Sequence, residues 1–318
     1  MDTQFFLAAN SGRGFVSRYE GFPGRRAFLH ILKGGPGTGK SSFLKRIRAR
    51  AAELGYDTES ILCSGDPDSL DGLLIPALHL AWADGTAPHA LEPRIFGADA
   101  DYVNLGRFCR PLDSAAGGRA AELHTAYKEQ YRQAYALLRG ALALEEAGTI
   151  PPTGAELAEA EEQICGALSA IPEKEAGETE QKLRFLSAIS CRGLLRLEET
   201  LRQLCPKTLS LPGGNTALEK AARLAAERGT RVIRCLRPLN PEETEAVLLP
   251  EMGLAFLAEQ RENRESALRD AVCARAVERL REAKRLHDEL EAVYRPYVDF
   301  AALTNFTENC LWELFPEE

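Results

Sequence analysis

The feature that most constrains this chain of 318 residues is a glycine-rich segment between a predicted strand and a predicted helix. This glycine-rich segment reads GGPGTGKSS over residues 34–42 and matches the pattern G-x-x-x-x-G-K-[ST]. The apolar run from Phe28 to Leu32 predicts a buried strand before it, and the apolar spacing from Phe43 to Leu54 predicts a helix that ends at Gly55. In such a unit the loop amides point into one concavity, which suits a phosphate group.

The glycine-rich segment therefore predicts a nucleotide site, and its last three residues each have an expected role. In this interpretation Lys40 places its charge on the β- and γ-phosphates of ATP, the Ser41 hydroxyl ligates Mg²⁺, and Ser42 bonds the α-phosphate. The alternative is a glycine-rich turn that only caps a helix, and the complete G-K-S ending favours the phosphate site. The predicted nucleotide-binding residues are Gly34, Gly35, Pro36, Gly37, Thr38, Gly39, Lys40, Ser41 and Ser42.

An acidic residue is expected at the end of a second apolar strand, where it would hold the magnesium through water. Asp84 follows the apolar run from Ala77 to Ala83, so we predict it as a metal ligand and, with Lys40, as a catalytic residue. The alternative is an aspartate that caps the turn after a buried strand.

Residue 85 is glycine, whereas many P-loop ATPases have a water-activating glutamate directly after this acid. Another residue must then position the nucleophile, and the candidates are His89 and three upstream aspartates. The aspartates also suit a turn that caps a helix. They are Asp66, Asp68 and Asp71.

The chain contains a degraded internal repeat. FLAANSGRG, which starts at Phe6, resembles FLSAISCRG 179 residues later, and AAELG, which starts at Ala51, resembles AAERG 174 residues later. The smaller offset removes five residues opposite Pro36 to Lys40, and it aligns Asp84 with Ala258. We therefore expect a second half that keeps the fold without the phosphate chemistry. The alternative is chance similarity between two α/β halves.

The predicted fold class is α/β, a P-loop NTPase with a parallel sheet flanked by helices, in two tandem copies with added helical segments. The expected domains are residues 1–150 with the intact glycine-rich segment, a helical linker over 151–181, and a degenerate domain over 182–318. The added segments are amphipathic helices predicted over Ala120–Ala147, Ala155–Ile171 and Glu265–Tyr294.

Composition argues against several other classes of protein. Lys and Arg number 39 against 47 Asp and Glu, a formal net charge of −8, so partners such as nucleic acid or an anionic membrane are not expected. The longest apolar run, Leu73–Ala83, is shorter than the roughly 20 residues of a bilayer span, and the N-terminus does not have the pattern of a signal peptide. No two of the eight cysteines lie closer than 14 positions, which favours reduced thiols of a cytoplasmic protein over zinc ligands.

The sequence resembles a little-characterised group of bacterial, cytoplasmic ATPases that have two tandem P-loop halves and are described as nucleotide-kinase-like. The resemblance covers most of the chain, most clearly residues 5–105. It implies ATP binding at the first loop and supplies no settled substrate. Members carry a phosphate loop in both halves, so the degenerate second half is a departure. The motifs that carry the resemblance are FLAANSGRGF from Phe6, ILKGGPGTGKSS from Ile31, DPDSLDG from Asp66, DGTAPH from Asp84 and FLSAIS from Phe185.

Three functions fit these observations. The favoured one is an Mg²⁺-dependent ATP hydrolase acting through the N-terminal loop. The alternatives are a small-molecule or nucleotide kinase, and a non-hydrolysing, ATP-dependent switch or scaffold that recruits a protein partner. The chain has no N/T-K-x-D motif for guanine, which favours adenine. The sequence does not choose among the arginines that would stabilise a transferring phosphate, which are Arg13, Arg94, Arg107, Arg192 and Arg237.

Overall fold

The computed structural model of the protein describes residues 1–24, 26–169, 181–259 and 264–316. Its strands form a six-stranded sheet, a five-stranded sheet and two hairpins of two strands each. In the first half of the chain the strands are β1 Asp2–Phe6, β2 Ala8–Ser11, β3 Gly14–Ser17, β4 Phe28–Lys33, β5 Thr58–Leu62, β6 Leu70–Ile75, β7 Leu80–Asp84 and β8 Ala100–Asn104. In the second half they are β9 Gln181–Arg184, β10 Ser187–Ser190, β11 Gly193–Arg196, β12 Lys207–Leu211, β13 Val232–Leu236, β14 Thr244–Leu249 and β15 Leu254–Ala258.

Seven α-helices accompany these strands in the described ranges. They are α1 Lys40–Glu53, α2 Ser114–Gly148, α3 Gly154–Leu168, α4 Glu198–Leu204, α5 Gly214–Glu227, α6 Ser266–Tyr294 and α7 Phe300–Leu314. The three added amphipathic helices of the prediction correspond to α2, α3 and α6, although the predicted end at Ile171 lies outside the described residues. None of the helices described is both long and apolar enough to cross a lipid bilayer.

The six-stranded sheet has mixed strand directions. Its order is β1-β5-β6-β7-β4-β8, in which β4 is parallel to both β7 and β8 while β6 is antiparallel to both β5 and β7. The apolar run that the sequence presents as continuous is two strands, because a short turn at Pro76–Leu78 and the positive φ of 54° at His79 reverse the chain between them. A connection of four residues, 76–79, joins antiparallel neighbours, since a parallel pair needs a crossover of a dozen or more.

The five-stranded sheet, in the order β12-β15-β14-β13-β9, is mixed in the same way. Its β14 is antiparallel to both β13 and β15. The prediction of a parallel P-loop NTPase sheet, present in two copies, is therefore wrong. The structure supports the general α/β class and not that finer assignment.

The chain divides into two compact units, and each is assembled from separate stretches of sequence. The first unit comprises Met1–Gln4, Phe22–Gln133 and Glu278–Glu318, and the second comprises Phe5–Gly21 and Ala134–Val277. The first unit holds most of the six-stranded sheet, and the second holds the five-stranded sheet and both hairpins. The predicted domains are continuous stretches of sequence with boundaries at residues 150 and 181, and they stay a prediction.

The two sheets repeat one order of strands. The order β1, β5, β6, β7, β4 in the first corresponds to β9, β13, β14, β15, β12 in the second, and β8 extends only the first sheet. The hairpins also repeat their hydrogen bonds, since Ser11 Oγ donates to Gly14 O at 2.7 Å and Ser190 Oγ donates to Gly193 O at 3.1 Å. These paired serines are 179 positions apart, the offset found in the sequence.

Helices α1 and α5 bury corresponding faces. The four residues buried in α1 each have a buried counterpart 174 positions later in α5, and there every counterpart is alanine or leucine. This spacing of one apolar face is the amphipathic pattern from which α1 was predicted, and α5 repeats it. The buried residues of α1 are Phe43, Leu44, Ile47 and Ala51, and their counterparts are Ala217, Leu218, Ala221 and Ala225.

Candidate functional site

The glycine-rich segment connects the C-terminal end of β4 to the start of α1. β4 lies between β7 and β8, parallel to both, and its register places Leu32 opposite Asp84. Because the carboxyl ends of parallel strands meet at one edge of a sheet, this arrangement brings Asp84 beside the glycine-rich segment. The local parallel pair thus supplies the proximity that the sequence analysis expected from a fully parallel sheet.

Three glycines give the segment its tight path. Gly37 and Gly39 have φ values of +70° and +87°, a left-handed conformation that residues with a Cβ rarely adopt. A Cβ on Gly34 would lie 2.5 Å from Thr38 Oγ1, and that hydroxyl donates to Gly35 O at 2.8 Å. The segment is therefore folded back on itself closely enough to require glycine.

Helices α6 and α7 pack closely on the same segment within the first unit. A Cβ on Gly37 would lie 3.2 Å from the backbone oxygen of Glu291 in α6, and one on Gly39 would lie 2.7 Å from Leu303 Cδ2 in α7. No local pattern in the sequence indicates these neighbours, because they lie more than 250 positions further along the chain.

The Lys40 ammonium group lies across the segment. Its Nζ donates to Gly34 O at 2.6 Å and to Gly35 O at 3.0 Å, and it lies 3.7 Å from Asp84 Oδ2. The side chains of Lys40 and Asp84 are only 14% and 16% exposed, so this ion pair is largely shielded from water. The two residues predicted as catalytic are therefore neighbours.

Asp84 is also bonded to the turn that follows it. Its Oδ1 accepts from the Thr86 backbone N at 2.8 Å and from the Thr86 hydroxyl, which lies 3.2 Å from Gly34 O. Burial raises the pKa of Asp84, and the positive charge of Lys40 and the bonds from Thr86 oppose that increase. Oδ1 of Asp84 thus caps the turn, as the alternative expected, while Oδ2 lies 3.7 Å from Lys40 Nζ. Thr86 was missed in the sequence analysis, although Asp-Gly-Thr is typical of a turn closed by an aspartate side chain.

Ser41, the other predicted metal ligand, has a structural bond of its own. Its Oγ accepts from the Leu70 backbone N at 2.9 Å, which ties the start of α1 to the start of β6. In the second half Asn215 Oδ1 accepts from the Thr244 backbone N at 2.8 Å, and both of these residues are offset by 174 positions. Part of the role of Ser41 is therefore common to both halves. Ser42 is exposed at the start of α1.

His89 and Asp71 form a buried pair, and the charge of Asp71 acts on Asp84. His89 Nε2 and Asp71 Oδ2 are 3.3 Å apart, and the two side chains are 8% and 11% exposed. Burial lowers the pKa of His89, but the hydrogen bond to Asp71 and the charges of Asp71 and Asp84 outweigh burial and raise it above the ordinary value. Burial and the charge of Asp71 likewise raise the pKa of the Cys63 thiol well above its ordinary value, so this thiol stays protonated.

The other two upstream aspartates fit the turn alternative. Asp66 Oδ2 accepts from Ser69 Oγ at 3.0 Å and lies 3.5 Å from Lys284 Nζ, while Asp68 is exposed. Of the three candidates Asp66, Asp68 and Asp71, Asp71 is the one that the structure places beside His89.

The candidate arginines of the first unit have other contacts. Arg107 lies over the rings of Phe108 and Phe306, at 4.8 Å and 4.5 Å, and Arg94 is largely exposed with its Nε 3.3 Å from Asp99. In the second unit Arg13 and Arg237 are ion-paired with glutamates of that unit. These contacts do not select an arginine for the site.

The corresponding turn of the second half has neither the lysine nor the aspartate of the first. α5 follows the N-cap Gly213, whose φ of 88° matches that of Gly39, so Gly214 occupies the position of Lys40. The predicted gap opposite Pro36 to Lys40 therefore lies opposite residues 34–38 instead. The register of β12 with β15 places Leu211 opposite Ala258, just as Leu32 lies opposite Asp84. Both the lysine and the acid are absent from these positions.

Among the described residues one group of three side chains is spaced to hold a metal ion, and it lies on α6, the helix that packs against Gly37 through Glu291. It comprises His287, Asp288 and Glu291, which are partly or fully exposed. The predicted ligands Ser41 and Asp84 do not belong to it.

Comparison of the chain with protein-family models, curated proteins and solved structures finds no match. The resemblance to tandem P-loop ATPases therefore stays a prediction that depends on the motifs quoted above.

Proposed function

We propose that the glycine-rich segment binds the phosphates of ATP together with Mg²⁺, and that the protein hydrolyses this nucleotide. The single observation that carries the proposal is the position of Lys40, a shielded ammonium group that lies on the carbonyls of Gly34 and Gly35 and 3.7 Å from Asp84. A lysine, a glycine-rich turn and a helix start at one point form the arrangement that suits a polyphosphate.

The backbone of the segment supports the proposal. Gly37 and Gly39 have a φ that side chains disfavour, and a glycine-dependent turn of this kind can direct successive backbone amides at an anion. The N-cap Gly39 makes no side-chain bond to the amides of the first turn. Those amides have no acceptor within the helix, so they are suited to an anion.

In this proposal Lys40 exchanges the loop carbonyls for phosphate oxygens, which carry a full negative charge and make stronger hydrogen bonds. Ser41 and Asp84 would hold Mg²⁺, which supplies neutralising charge next to the phosphates when it is bound. Ser41 Oγ can accept the Leu70 N–H and still offer its second lone pair, so its structural bond does not exclude this role.

The partner proposed for the chain is therefore a nucleotide. The expected cytoplasmic location, the absence of nucleic-acid and membrane partners, and an additional protein partner belong to the same proposal.

Calorimetric titration with Mg²⁺ and ATP tests the site assignment. Lys40→Ala is expected to weaken ATP binding by at least about 100-fold, or roughly 2.7 kcal/mol, because it removes the only charge placed on the phosphates by the segment itself. Lys45→Ala is the matched control, since it removes the same charge from an exposed position of α1. Equal affinity in wild type and Lys40→Ala, or no binding by the wild type, would reject the proposal.

A further inference from the structure

Steric crowding explains why the residue after Asp84 is not an acid. A Cβ on Gly85 would lie 2.2 Å from Ile31 Cγ2 in the central strand β4. A side chain at this position would have to displace the buried Ile31 side chain of β4, the strand that leads into the glycine-rich segment. The group that activates the attacking water must therefore come from another part of the chain.

The Asp71–His89 pair is the buried acid–base pair next to the predicted site. The turn that leads from Asp84 to His89 lies against the glycine-rich segment, because the Thr86 hydroxyl donates to Asp84 Oδ1 and lies 3.2 Å from Gly34 O. The same turn is attached to β6 through the hydrogen bond from His89 to Asp71. The charges of both Asp84 and Lys40 reach the imidazole ring and affect its pKa.

We propose that His89 is the general base of the ATP hydrolysis proposed above and that Asp71 is its positioning residue. With Nε2 donating to Asp71, the neutral ring has Nδ1 as its acceptor nitrogen. A carboxylate that fixes the tautomer of a histidine and stabilises its charged form is the arrangement that activates nucleophiles in many hydrolases.

The reaction is a balanced transfer of the γ-phosphoryl group to water. The water oxygen forms a bond to the γ-phosphorus, and the bond from that phosphorus to the bridging oxygen breaks, leaving its electron pair on ADP. One water proton passes to Nδ1 of His89, and the imidazolium ion that results is stabilised by the Asp71 carboxylate. The proton is released to solvent after inorganic phosphate and ADP depart.

The second half provides the matched comparison. Glu245 is the counterpart of Asp71 at an offset of 174, and its side chain is 19% exposed against 11% for Asp71, but its Oε1 accepts from Ser187 Oγ at 2.6 Å and lies 3.4 Å from Arg196. The acid of this position is thus kept in both halves, whereas its pairing with histidine occurs in the half that also has Lys40 and Asp84.

The experiment compares steady-state ATP turnover with ATP affinity in four variants of the full chain. His89→Gln can still donate a hydrogen bond to Asp71 but offers no basic nitrogen, so kcat is expected to fall by about 100-fold or more while the Kd for ATP changes by less than about threefold. Asp71→Asn is expected to lower kcat by a smaller factor. His89→Ala is expected to recover part of its kcat when imidazole is added. Glu245→Gln makes the same chemical change as Asp71→Asn in the other half and is expected to keep the wild-type kcat.

The role of His89 depends on the proposed function, and the possible outcomes distinguish failure of one from failure of the other. A wild type that does not bind ATP rejects the proposed function. A wild type that binds ATP and does not hydrolyse it rejects the hydrolysis in the proposed function together with the role of His89. A folded His89→Gln variant with wild-type kcat rejects only the role of His89. If His89→Gln loses ATP affinity and kcat together and imidazole restores nothing to His89→Ala, the pair is structural and the inference is wrong. Thermal melting of each variant identifies any that fail to fold, and Asp71→Asn then provides the test.

Discussion

The turn between β4 and α1 and the turn between β12 and α5 are built on one plan and differ in a few positions. Both end a strand, pass through a left-handed glycine at the N-cap, and begin a helix of 14 residues. In both, the side chain of the second helical residue accepts a hydrogen bond from the backbone N–H of a residue that starts a later strand, Leu70 of β6 or Thr244 of β14. The first turn adds residues 34–38, and it has Lys40 and Asp84 where the second has Gly214 and Ala258.

This comparison separates what builds the fold from what the site requires. A glycine cap and a helix N-terminus are present in both halves, so these features alone do not indicate a nucleotide site. The added loop, the lysine and the acid occur together in one half only. Predictions about the two turns can therefore be tested in pairs, with each half serving as the control for the other.

The glycine caps are expected to give the largest effect on stability. Gly39→Ala and Gly213→Ala each force a Cβ into a left-handed residue and against leucine, 2.7 Å from Leu303 Cδ2 or 2.9 Å from Leu157 Cδ2. Each is expected to lower the free energy of unfolding by about 1–3 kcal/mol. Urea denaturation provides the measurement. A large loss in one half with none in the other would contradict the common plan.

The residues at the second helical position are expected to give a smaller loss. Ser41→Ala leaves the Leu70 N–H without its acceptor, and Asn215→Ala does the same to Thr244. We expect each to cost about 1 kcal/mol of unfolding free energy. Only Ser41→Ala is expected to remove the Mg²⁺ dependence of ATP binding, as measured by titration with and without the metal. An unchanged Mg²⁺ dependence would leave Ser41 with the structural role alone.

The smallest expected effect is a change in how stability depends on pH, and it comes from Glu245, the counterpart of Asp71 in the second half. Burial raises the pKa of Glu245, against the opposing hydrogen bond from Ser187 and the charge of Arg196. The folded state therefore holds this proton more tightly than the unfolded state, and the stability that the group contributes is lost as pH rises from the ordinary glutamate pKa through the raised one. Glu245→Gln is expected to flatten the decline of melting temperature across this interval. An identical slope in the variant would show that another group is responsible.

Much of the site was predictable because its determinants are local. Glycine spacing, the apolar run before it and the helical spacing after it were sufficient to predict the strand, the loop and α1. Asp84 was predicted beside the loop from its place at the end of an apolar run. The offset between repeats also predicted Ala258 opposite Asp84, because paired halves preserve register even where side chains change.

The strand directions of the sheet and the residues that surround the site were less predictable, because they depend on contacts between residues far apart in the sequence. The apolar run through Pro76 looks continuous in sequence, whereas His79 adopts a left-handed conformation and reverses the chain, which makes the neighbouring strands antiparallel. Leu303 and Glu291 reach the glycine-rich segment from α7 and α6, and no local pattern marks such contacts. The Asp71–His89 bond joins two residues that were each singled out but could be paired only by the fold.

Amide hydrogen exchange with and without Mg²⁺ and ATP tests the central claim most directly, because one experiment reads both turns. If the first turn alone binds ATP, we expect slower exchange on nucleotide addition for the amides of residues 34, 35 and 37–42, with unchanged exchange for those of residues 213–216. Slower exchange at residues 213–216, or unchanged exchange at both turns under saturating nucleotide, would show that this is wrong.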